Sequence, residues 1–355
     1  MAFFNKLVGA LSQDIGIDLG TANTVVSTRK EGIVLCEPSV VAVRKGTDEV
    51  LMNGMAVGNT AKKMLDKVPG NVEAIRPLKH GVISSFDITE AMISYFIRKV
   101  NDRSWGLKPR LIVSVPMGIT TVEKTAVVQS CERAGAREVY LIEQPMAAAL
   151  GAGLPISDPA GSMIVDIGGG TTDVAVISLS GCVEYRTLPI AGDELNAAVV
   201  AHMKEHYNLL VGEQTAERIK IAIGSVVPME ALGQEEMAME VRGRSTITSL
   251  PDRAEITSIE VRNCLRPVAD TIIETIKEVL RATPAELAAD LVERGIMLGG
   301  GGAYLRGLDY LIEKTVNLPV RIAKEPLYSV ARGTAFVTES FEELRDVLEF
   351  GGDIG

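Results

Sequence analysis

Two glycine- and threonine-rich segments repeat one pattern of residues, and this repeat constrains the fold more than any other feature of the sequence. Residues 17–25 are IDLGTANTV and residues 165–174 are VDIGGGTTDV. Each has apolar residues around an Asp, then a turn without bulky side chains, then a β-branched run, which is typical of a β-hairpin. Because further strands and helices follow both hairpins, we predict two related α/β halves that face each other across a ligand cleft.

Buried strands and helices are predicted to alternate in the rest of each half. Residues 110–116 form a short apolar strand, the pattern of a strand that is covered on both faces. A helix over 122–134 follows, with Thr120 or Thr121 as its N-cap and Gly135 at its C-terminal end. The further predicted elements are a strand over 139–142, a helix over 146–150, a helix over 261–280 broken early by Pro267, a strand over 294–298 and a helix over 305–315.

Each half carries a predicted insertion, which gives four subdomains. Subdomain IA comprises residues 1–33 and 79–150, and its insertion, IB, comprises 34–78. Subdomain IIA comprises residues 151–186 and 256–355, and its insertion, IIB, comprises 187–255. The first insertion is expected to hold short strands, a helical piece over 59–65 and a turn at 69–70. The second is expected to begin with a helix over 193–207 and to end in turn-rich sequence.

Composition narrows the class of protein. The 355 residues suffice for two or more domains, and 46% of them are hydrophobic. The net charge is −10 and the Lys and Arg residues form no cluster, so we expect no nucleic-acid partner. The four cysteines are widely spaced and suit a reducing compartment. Because no run of apolar residues is long enough to span a membrane and no cleavable signal is present, we expect a cytoplasmic location.

The two hairpin turns have the chemistry of a phosphate site. Turns rich in small residues bring backbone N–H groups together, which is how a turn binds phosphate. Asp18 and Asp166 precede the turns, and two carboxylates beside phosphate suit hydrated Mg²⁺ held largely through water. Thr171, in the second turn, can hold a nucleophilic water. A third glycine run, 299–302 at a strand end, lets the backbone lie against an adenine or ribose. No P-loop motif is present.

These three segments resemble the phosphate 1, phosphate 2 and adenosine motifs of the actin, Hsp70 and sugar-kinase superfamily. Within it, the chain resembles the MreB family of bacterial actins almost from end to end. The segments that carry this resemblance are 37–41 (EPSVV), 74–78 (AIRPL), 145–149 (PMAAA), 215–220 (TAERIK), 240–244 (EVRGR) and 305–308 (LRGL). The resemblance implies a duplicated actin-like (ribonuclease H-like) fold, with two halves around a nucleotide cleft.

The resemblance also assigns expected roles to individual residues. Asp18 and Asp166 are expected to organise magnesium, and together with Thr171 and Gln144 they form the expected catalytic set. The residues expected to contact ATP or ADP are Gly20, Thr21, Ala22, Asn23, Gly168, Gly169, Gly170, Thr171, Thr172, Glu217, Arg218, Ile219, Lys220, Gly300, Gly301, Gly302 and Ala303.

Gln144 departs from the family pattern. MreB proteins usually carry Glu before this Pro, and that Glu is thought to help orient the hydrolytic water, whereas actin carries Gln. Gln cannot accept a proton as a base, but it can hold a water by hydrogen bonds. We therefore predict weakened or retuned hydrolysis rather than none. Glu143 is not expected to substitute, because adjacent strand residues point to opposite faces.

Two apolar segments are candidate membrane contacts. The residues with helical spacing near the start of the chain are Phe3, Phe4, Leu7, Val8 and Leu11. They predict an amphipathic helix over 2–11 that would form on docking to either a bilayer interface or a protein groove, and the resemblance favours the membrane. Trp105 and Leu107 lie in a predicted apolar loop, and Trp favours membrane interfaces. The alternative is a Trp that covers a local core.

The resemblance implies an ATP-binding, filament-forming protein on the inner face of the cytoplasmic membrane, which organises cell-wall synthesis and cell shape with slow Mg²⁺-dependent ATP hydrolysis. Its implied partners are further copies of itself in paired protofilaments, the membrane surface, and the wall-elongation proteins MreC, MreD and RodZ. A sugar kinase would need a carboxylate base in a sugar pocket, and no clear candidate is present. A chaperone ATPase would need a substrate-binding region after the ATPase core. A scaffold that binds ATP without hydrolysing it remains open because of Gln144.

Overall fold

Two mixed β-sheets with the same strand order form the framework of the molecule. The computed structural model describes residues 14–64, 70–79, 82–100 and 108–354. The first sheet has the order β18-β9-β8-β1-β2-β3. The second, read in the matching direction, has the order β17-β16-β10-β11-β12, so that β10 corresponds to β1 and β11 to β2. The strands of the first sheet are β1 (Ile15–Leu19), β2 (Asn23–Thr28), β3 (Gly32–Pro38), β8 (Arg110–Val115), β9 (Glu138–Glu143) and β18 (Glu349–Phe350). Those of the second are β10 (Ser162–Ile167), β11 (Thr172–Ser178), β12 (Gly181–Leu188), β16 (Ile296–Gly299) and β17 (Val320–Ile322).

The matching strand order confirms the predicted duplication. In the first sheet, β1 pairs antiparallel with β2 and parallel with β8. In the second, β10 pairs antiparallel with β11 and parallel with β16. Strands β1, β10 and β11 are buried along their whole length, because helices cover both faces of the sheets. Both hairpin turns therefore lie at corresponding ends of the two central strands.

The described residues also form three smaller sheets, two of them mainly within the regions predicted as insertions and one at the end of the first such region. They comprise β4 (Val41–Arg44) with β5 (Val72–Ile75), β6 (Leu78–Lys79) with β7 (Val82–Ile83), and β13 (Leu209–Leu210) with β14 (Ala238–Ser245) and β15 (Pro251–Thr257). Strand β3 stays paired with β2 as far as Pro38, beyond the predicted start of the first insertion at residue 34. The four subdomain boundaries stay predictions.

The helices in the described residues include the six that the sequence predicts there and five more that it does not. They are α1 (Leu51–Gly54), α2 (Asn59–Lys62), α3 (Phe86–Val100), α4 (Thr121–Arg133), α5 (Gln144–Gly151), α6 (Gly192–Tyr207), α7 (Glu213–Ile223), α8 (Ser258–Ala282), α9 (Ala285–Arg294), α10 (Leu308–Val316) and α11 (Ser329–Glu339). Short 3₁₀ turns are Met229–Leu232, Gly301–Tyr304, Pro326–Tyr328, Arg345–Val347 and Gly351–Asp353. Of the two predicted N-caps of α4, the structure has Thr120, which forms a reciprocal capping box with Glu123.

The prediction that Pro267 breaks its helix was wrong. Helix α8 runs without interruption from Ser258 to Ala282 with Pro267 inside it. A proline removes one backbone hydrogen bond and costs about 3 kcal/mol in a helix interior. The helix buries a long apolar stripe on both sides of the proline, including Leu265 and Ile272. We infer that this burial outweighs the cost of the proline, since each fully buried aliphatic side chain contributes about 1.5–3 kcal/mol.

Two crossed helices join the halves and fix the centre of the molecule. Helix α5 follows the first sheet but also packs on β10 and β11, whereas α11 packs on β1 and β2. The two helices meet at glycines. A Cβ on Gly151 would lie 1.8 Å from the carbonyl oxygen of Ser329, and a Cβ on Gly333 would lie 1.9 Å from that of Ala147. This close crossing holds the first residue of α5, Gln144, at the base of the cleft.

Candidate nucleotide site

A cavity of about 570 Å³ opens between the two halves. Both hairpin turns, the start of α5, helices α6 and α7 and the glycine run contribute to its lining. The predicted site residues that line it are Asp18, Gly20, Thr21, Ala22, Asn23, Gln144, Asp166, Gly168, Gly169, Thr171, Glu217, Lys220, Gly300, Gly301 and Gly302. The fold thus brings segments from distant parts of the chain to one cavity.

The two hairpin turns touch at the base of the cavity. A Cβ on Gly169 would lie 2.6 Å from the Cβ of Ala22, and a Cβ on Gly170 would lie 2.9 Å from Cγ2 of Thr21. These separations are too short for side-chain carbon atoms, so the approach of the turns requires glycine at both positions. We call these turns, 20–23 and 168–171, together with Asp18 and Asp166, the cleft floor.

The carboxylates of the floor lack a cationic partner among the described residues. The Asp18 carboxylate accepts a hydrogen bond from Ser114 Oγ at 2.9 Å, yet burial raises its pKa to about 6. Burial, and then the nearby charges of Asp173 and Asp18, raise the pKa of Asp166 well above its usual value. Oδ1 of Asp166 has no hydrogen-bond partner in the described part of the chain. Uncompensated negative charge in a buried site favours a cation.

Asp173 adds a third carboxyl group behind the floor. It lies opposite Asp166 in the β10–β11 pair, and its side chain accepts a hydrogen bond from Thr187 Oγ1 at 2.6 Å. Burial raises the pKa of Asp173 to about 6, and the hydrogen bonds from Thr187 and Thr171 oppose that rise. Thr171 is therefore held between the cavity and a buried carboxyl group.

The other end of the cavity is lined by α7 and the segment after the glycine run. Glu217 and Lys220 are three residues apart and share one face of the helix. Lys220 Nζ donates to the Gly192 carbonyl at 3.0 Å, and burial lowers the pKa of Lys220. Arg306 Nη1 donates to the carbonyls of Ile221 and Gly224, at 2.9 and 3.1 Å, at the C-terminal end of α7. This end offers charged and backbone groups suited to a ribose and a base.

Five residues expected to contact the nucleotide do not line the cavity. They are Gly170, Thr172, Arg218, Ile219 and Ala303. Gly170 packs against Thr21, and Thr172 Oγ1 donates to the Ile190 carbonyl at 2.8 Å. Arg218 is exposed, while Ile219 and Ala303 belong to the hydrophobic core. A motif carried over as a continuous stretch includes residues that a helix or strand turns away from the ligand.

Several lining residues were missed from the sequence. They include Gly192, Asp193, Leu195, Asn196, Tyr304, Arg306, Leu327 and Val330. The N-terminus of α6 reaches the cavity because the Gly192 and Asp193 amides donate to the Gly168 and Gly169 carbonyls at 3.2 and 2.8 Å. Asn196 is buried and its Oδ1 has no partner among the described residues. A polar Asn on the otherwise apolar face of a predicted helix could have marked this residue as a candidate. Its position in the cavity, however, depends on tertiary packing, which the sequence does not show.

The predicted membrane residues lie outside the described residues. These are Phe3, Phe4, Leu7, Val8 and Leu11 in the first segment and Trp105 and Leu107 in the second. In the described ranges, no helix combines the length and the apolar character needed to cross a membrane.

Comparison with known proteins identifies the family. The family model for the MreB/Mbl protein matches residues 12–346. The cell shape-determining protein MreB of Escherichia coli K12 is 48% identical over 329 residues, which cover 92% of this chain and 94% of that protein. The cell shape-determining protein Mbl of Bacillus cereus is 45% identical over 333 residues, which cover 94% and 98% of the two chains.

Solved structures agree. Crystal structures of Spiroplasma citri MreB5 bound to ADP and to AMPPNP each superpose with a TM-score of 0.87 at 32% identity, covering 94% of this chain and 98% of that one. A MamK double helical filament, at 22% identity and a TM-score of 0.75, supports the fold alone and covers 92% and 99% of the two chains. With the actin-like fold, the cleft and the family model in agreement, the chain belongs to the MreB/Mbl family.

Proposed function

We propose that the protein is a filament-forming, Mg²⁺-dependent ATPase that works in cell-shape determination on the inner face of the cytoplasmic membrane. The observation that carries the proposal is the meeting of two phosphate-type turns, each with a buried Asp, in one cavity between the halves. Two curated relatives are named for cell-shape determination, and MreB5 has been crystallised with ADP and AMPPNP.

The cavity suits a nucleoside triphosphate. Its volume of about 570 Å³ is within the usual range for small-molecule sites. The glycine run gives a flat wall, because Gly300 has φ +74° and its Cβ would lie 2.2 Å from the Ile167 carbonyl oxygen. Phosphates would lie on the amides of the two floor turns. Glu217 and Lys220 would contact the nucleoside at the other end.

The floor carboxylates suit magnesium. Asp18 and Asp166 are buried, have raised pKa values and face the same cavity, and Asp166 Oδ1 has no protein partner in the described residues. We propose that they hold Mg²⁺ largely through water, as expected of an ion that keeps much of its hydration shell. When bound, Mg²⁺ would neutralise charge that develops on the phosphate oxygens.

We propose that Gln144 and Thr171 position the attacking water. Both line the cavity, Gln144 as the first residue of α5 and Thr171 at the end of the second turn. The Gln144 amide can hold a water by hydrogen bonds but cannot take its proton, so we propose slow or retuned hydrolysis. Glu143 does not line this cavity and instead lines a separate pocket with Cys182 and Lys124.

We further propose that the two apolar segments meet the membrane together. The described residues beside both segments lie together, because Ile15 pairs with Leu111 and Arg110 Nη1 lies 3.7 Å from Asp14 Oδ2. Since the two segments precede neighbouring parallel strands, β1 and β8, we propose that they act on one membrane surface. The proposed partners are further copies of the chain, the inner membrane surface and the wall-elongation proteins MreC, MreD and RodZ.

The test combines pelleting and phosphate release. Full-length protein and a variant lacking residues 1–11 are sedimented with and without liposomes in Mg²⁺ and ATP, and pellets are examined by negative-stain electron microscopy. We expect the full-length protein to form filaments that coat liposomes and the truncation to lose the coating. Absence of polymer under every nucleotide and lipid condition would contradict the proposal. Filaments and ATP binding without phosphate release would instead favour the non-hydrolysing scaffold.

A further inference from the structure

Side chains of the first insertion reach across the cleft to the second insertion. Arg76, just after β5, places Nη1 3.1 Å from Asp193 Oδ2 and Nη2 2.5 Å from Glu213 Oε1. Lys62 Nζ lies 3.8 Å from Glu217 Oε2. Gln214 Nε2 also donates to the Lys62 carbonyl at 3.4 Å. We call this set of contacts the cleft mouth.

Arg76 makes the strongest of these contacts. Its guanidinium engages two carboxylates at once, and such charge-assisted, forked contacts are stronger than single ion pairs. Only 24% of its side chain is exposed, against 40% for Lys62. Burial opposes the charge of Arg76, but Asp193 and Glu213 outweigh this effect and raise its pKa. The charge of Arg76 is therefore maintained and partly shielded from solvent.

The two carboxylates belong to helices that line the nucleotide cavity. Asp193 lies in the first turn of α6, and its amide donates to the Gly169 carbonyl at 2.8 Å. Glu213 is the first residue of α7, which carries Glu217 and Lys220 into the cavity. Arg76 thus joins the first half to both helices of the second half that surround the site.

We propose that Arg76 is a cross-cleft positioning residue whose double contact with Asp193 and Glu213 holds the cleft closed and slows the release of bound nucleotide. The inference rests on the proposed function, since it requires that a nucleotide occupies the cavity. Opening the cleft separates one guanidinium from two carboxylates. That separation raises the barrier to nucleotide exit without placing Arg76 on the reacting atoms.

The consequence is a split between nucleotide release and hydrolysis. Removing Arg76 should accelerate release and leave the single-turnover hydrolysis rate nearly unchanged, because Arg76 does not line the cavity. We expect at least about a 5-fold faster release, the low end of typical coupling between sites, because the ion pair is partly screened by solvent. High salt should accelerate release from the wild type more than from the variant, since screening weakens the contact.

The experiment follows release of a fluorescent ATP analogue from the full chain in Mg²⁺ by stopped flow, with excess ATP as chase. The variants are Arg76→Ala, Arg76→Lys, Glu213→Ala and the double variant of Arg76→Ala with Glu213→Ala. Arg44→Ala is the matched control, because Arg44 pairs with Glu49 inside the first insertion, 2.8 Å away, and does not cross the cleft. Thermal unfolding of each variant checks its fold, and Glu213→Ala tests the contact from the other side if Arg76→Ala is unstable.

We expect faster release from Arg76→Ala and Glu213→Ala, an intermediate rate for Arg76→Lys, and a wild-type rate for Arg44→Ala. The double variant should release nucleotide more slowly than the product of the two single effects predicts, because both substitutions remove the same interaction. Release from Arg76→Ala and Glu213→Ala within about 2-fold of wild type would overturn the proposed role of Arg76. Failure of the wild type to bind the analogue would instead overturn the proposed function.

Discussion

The floor and the mouth of the cleft both bring the two halves together, but by opposite physical means. At the floor, backbone meets backbone through glycines, and the carboxyl groups of Asp18 and Asp166 are buried without a cation among the described residues. At the mouth, long charged side chains such as Arg76 and Lys62 meet carboxylates in partial contact with solvent. In the described part of the chain, the floor carries carboxyl groups without a cationic partner, whereas the mouth carries paired charges.

This difference assigns different tasks to the two regions. Buried charge interacts strongly and is weakly screened, so the floor can respond steeply to a cation or phosphate. The ion pairs at the mouth are only partly shielded from solvent, so opening the mouth costs less than disrupting the floor. We infer that the floor sets whether nucleotide binds and the mouth sets how long it stays.

The largest expected effect comes from Asp166→Asn at the floor. We expect Mg²⁺-dependent nucleotide affinity to fall by about 10- to 100-fold, the range seen when groups that organise a metal are removed. Titration of nucleotide with and without Mg²⁺ measures this loss. If the variant kept the wild-type Mg²⁺ dependence, Asp166 would not belong to the metal site. The proposed difference in task between the floor and the mouth would then lose its main support.

The same variant should be more stable than the wild type when no nucleotide is bound. Folding raises the pKa of Asp18 from 3.8 to about 6 and raises that of Asp166 well above 3.8, in both cases mainly through burial. The folded state therefore holds protons that the unfolded state releases, so the free energy of unfolding falls as pH rises through this range. We expect the thermal midpoint of the wild type to fall as pH rises from about 4 through 6, and that of Asp166→Asn to fall less. An equal decline in both would show that Asp166 is not the group responsible.

Gly169→Ala tests the contact between the turns. The added Cβ would lie 2.6 Å from the Cβ of Ala22, so the turns must separate. Overpacking of this kind costs about 1–3 kcal/mol, and we expect about 10-fold weaker nucleotide binding. Ala22→Gly in the same chain removes the clashing atom and should restore most of the affinity. No recovery in the double variant would show that the glycine is needed for another reason.

The floor could be predicted from the sequence because local rules dictate it. The sequences of residues 17–25 and 165–174 predict glycine-rich turns after buried strands, and each segment also contains its Asp. The mouth could not be predicted, because Arg76 and Asp193 are distant in sequence and no periodicity links them. Asn196 and Arg306 were missed for the same reason, since tertiary packing brings each of them to the cavity from a distant part of the chain. Pro267 shows the converse, a local rule overruled by burial.

Gln144→Glu tests the role of the residue that lies beside the floor at the start of α5, without changing the shape of the cavity. The two side chains are nearly equal in size, and position 144 lines the cavity at the start of α5. A carboxylate can accept a proton from the attacking water as well as orient it, so we expect a several-fold rise in phosphate release at saturating ATP. Gln144→Ala serves as the control and should lower the rate. An unchanged or lower rate in Gln144→Glu would sink the idea that Gln144 limits hydrolysis.

The smallest expected effect is that of Lys62→Ala at the mouth. Lys62 Nζ lies 3.8 Å from Glu217 Oε2, and about two fifths of each side chain is exposed, so the pair contributes only about 0.2–1 kcal/mol. We expect nucleotide release to change by less than about 2-fold in low salt, and the difference to vanish in high salt. Stopped-flow release at two salt concentrations measures both. If Lys62→Ala instead accelerated nucleotide release as much as Arg76→Ala, the contacts of the mouth would act together. The closed cleft would then not depend on a single arginine.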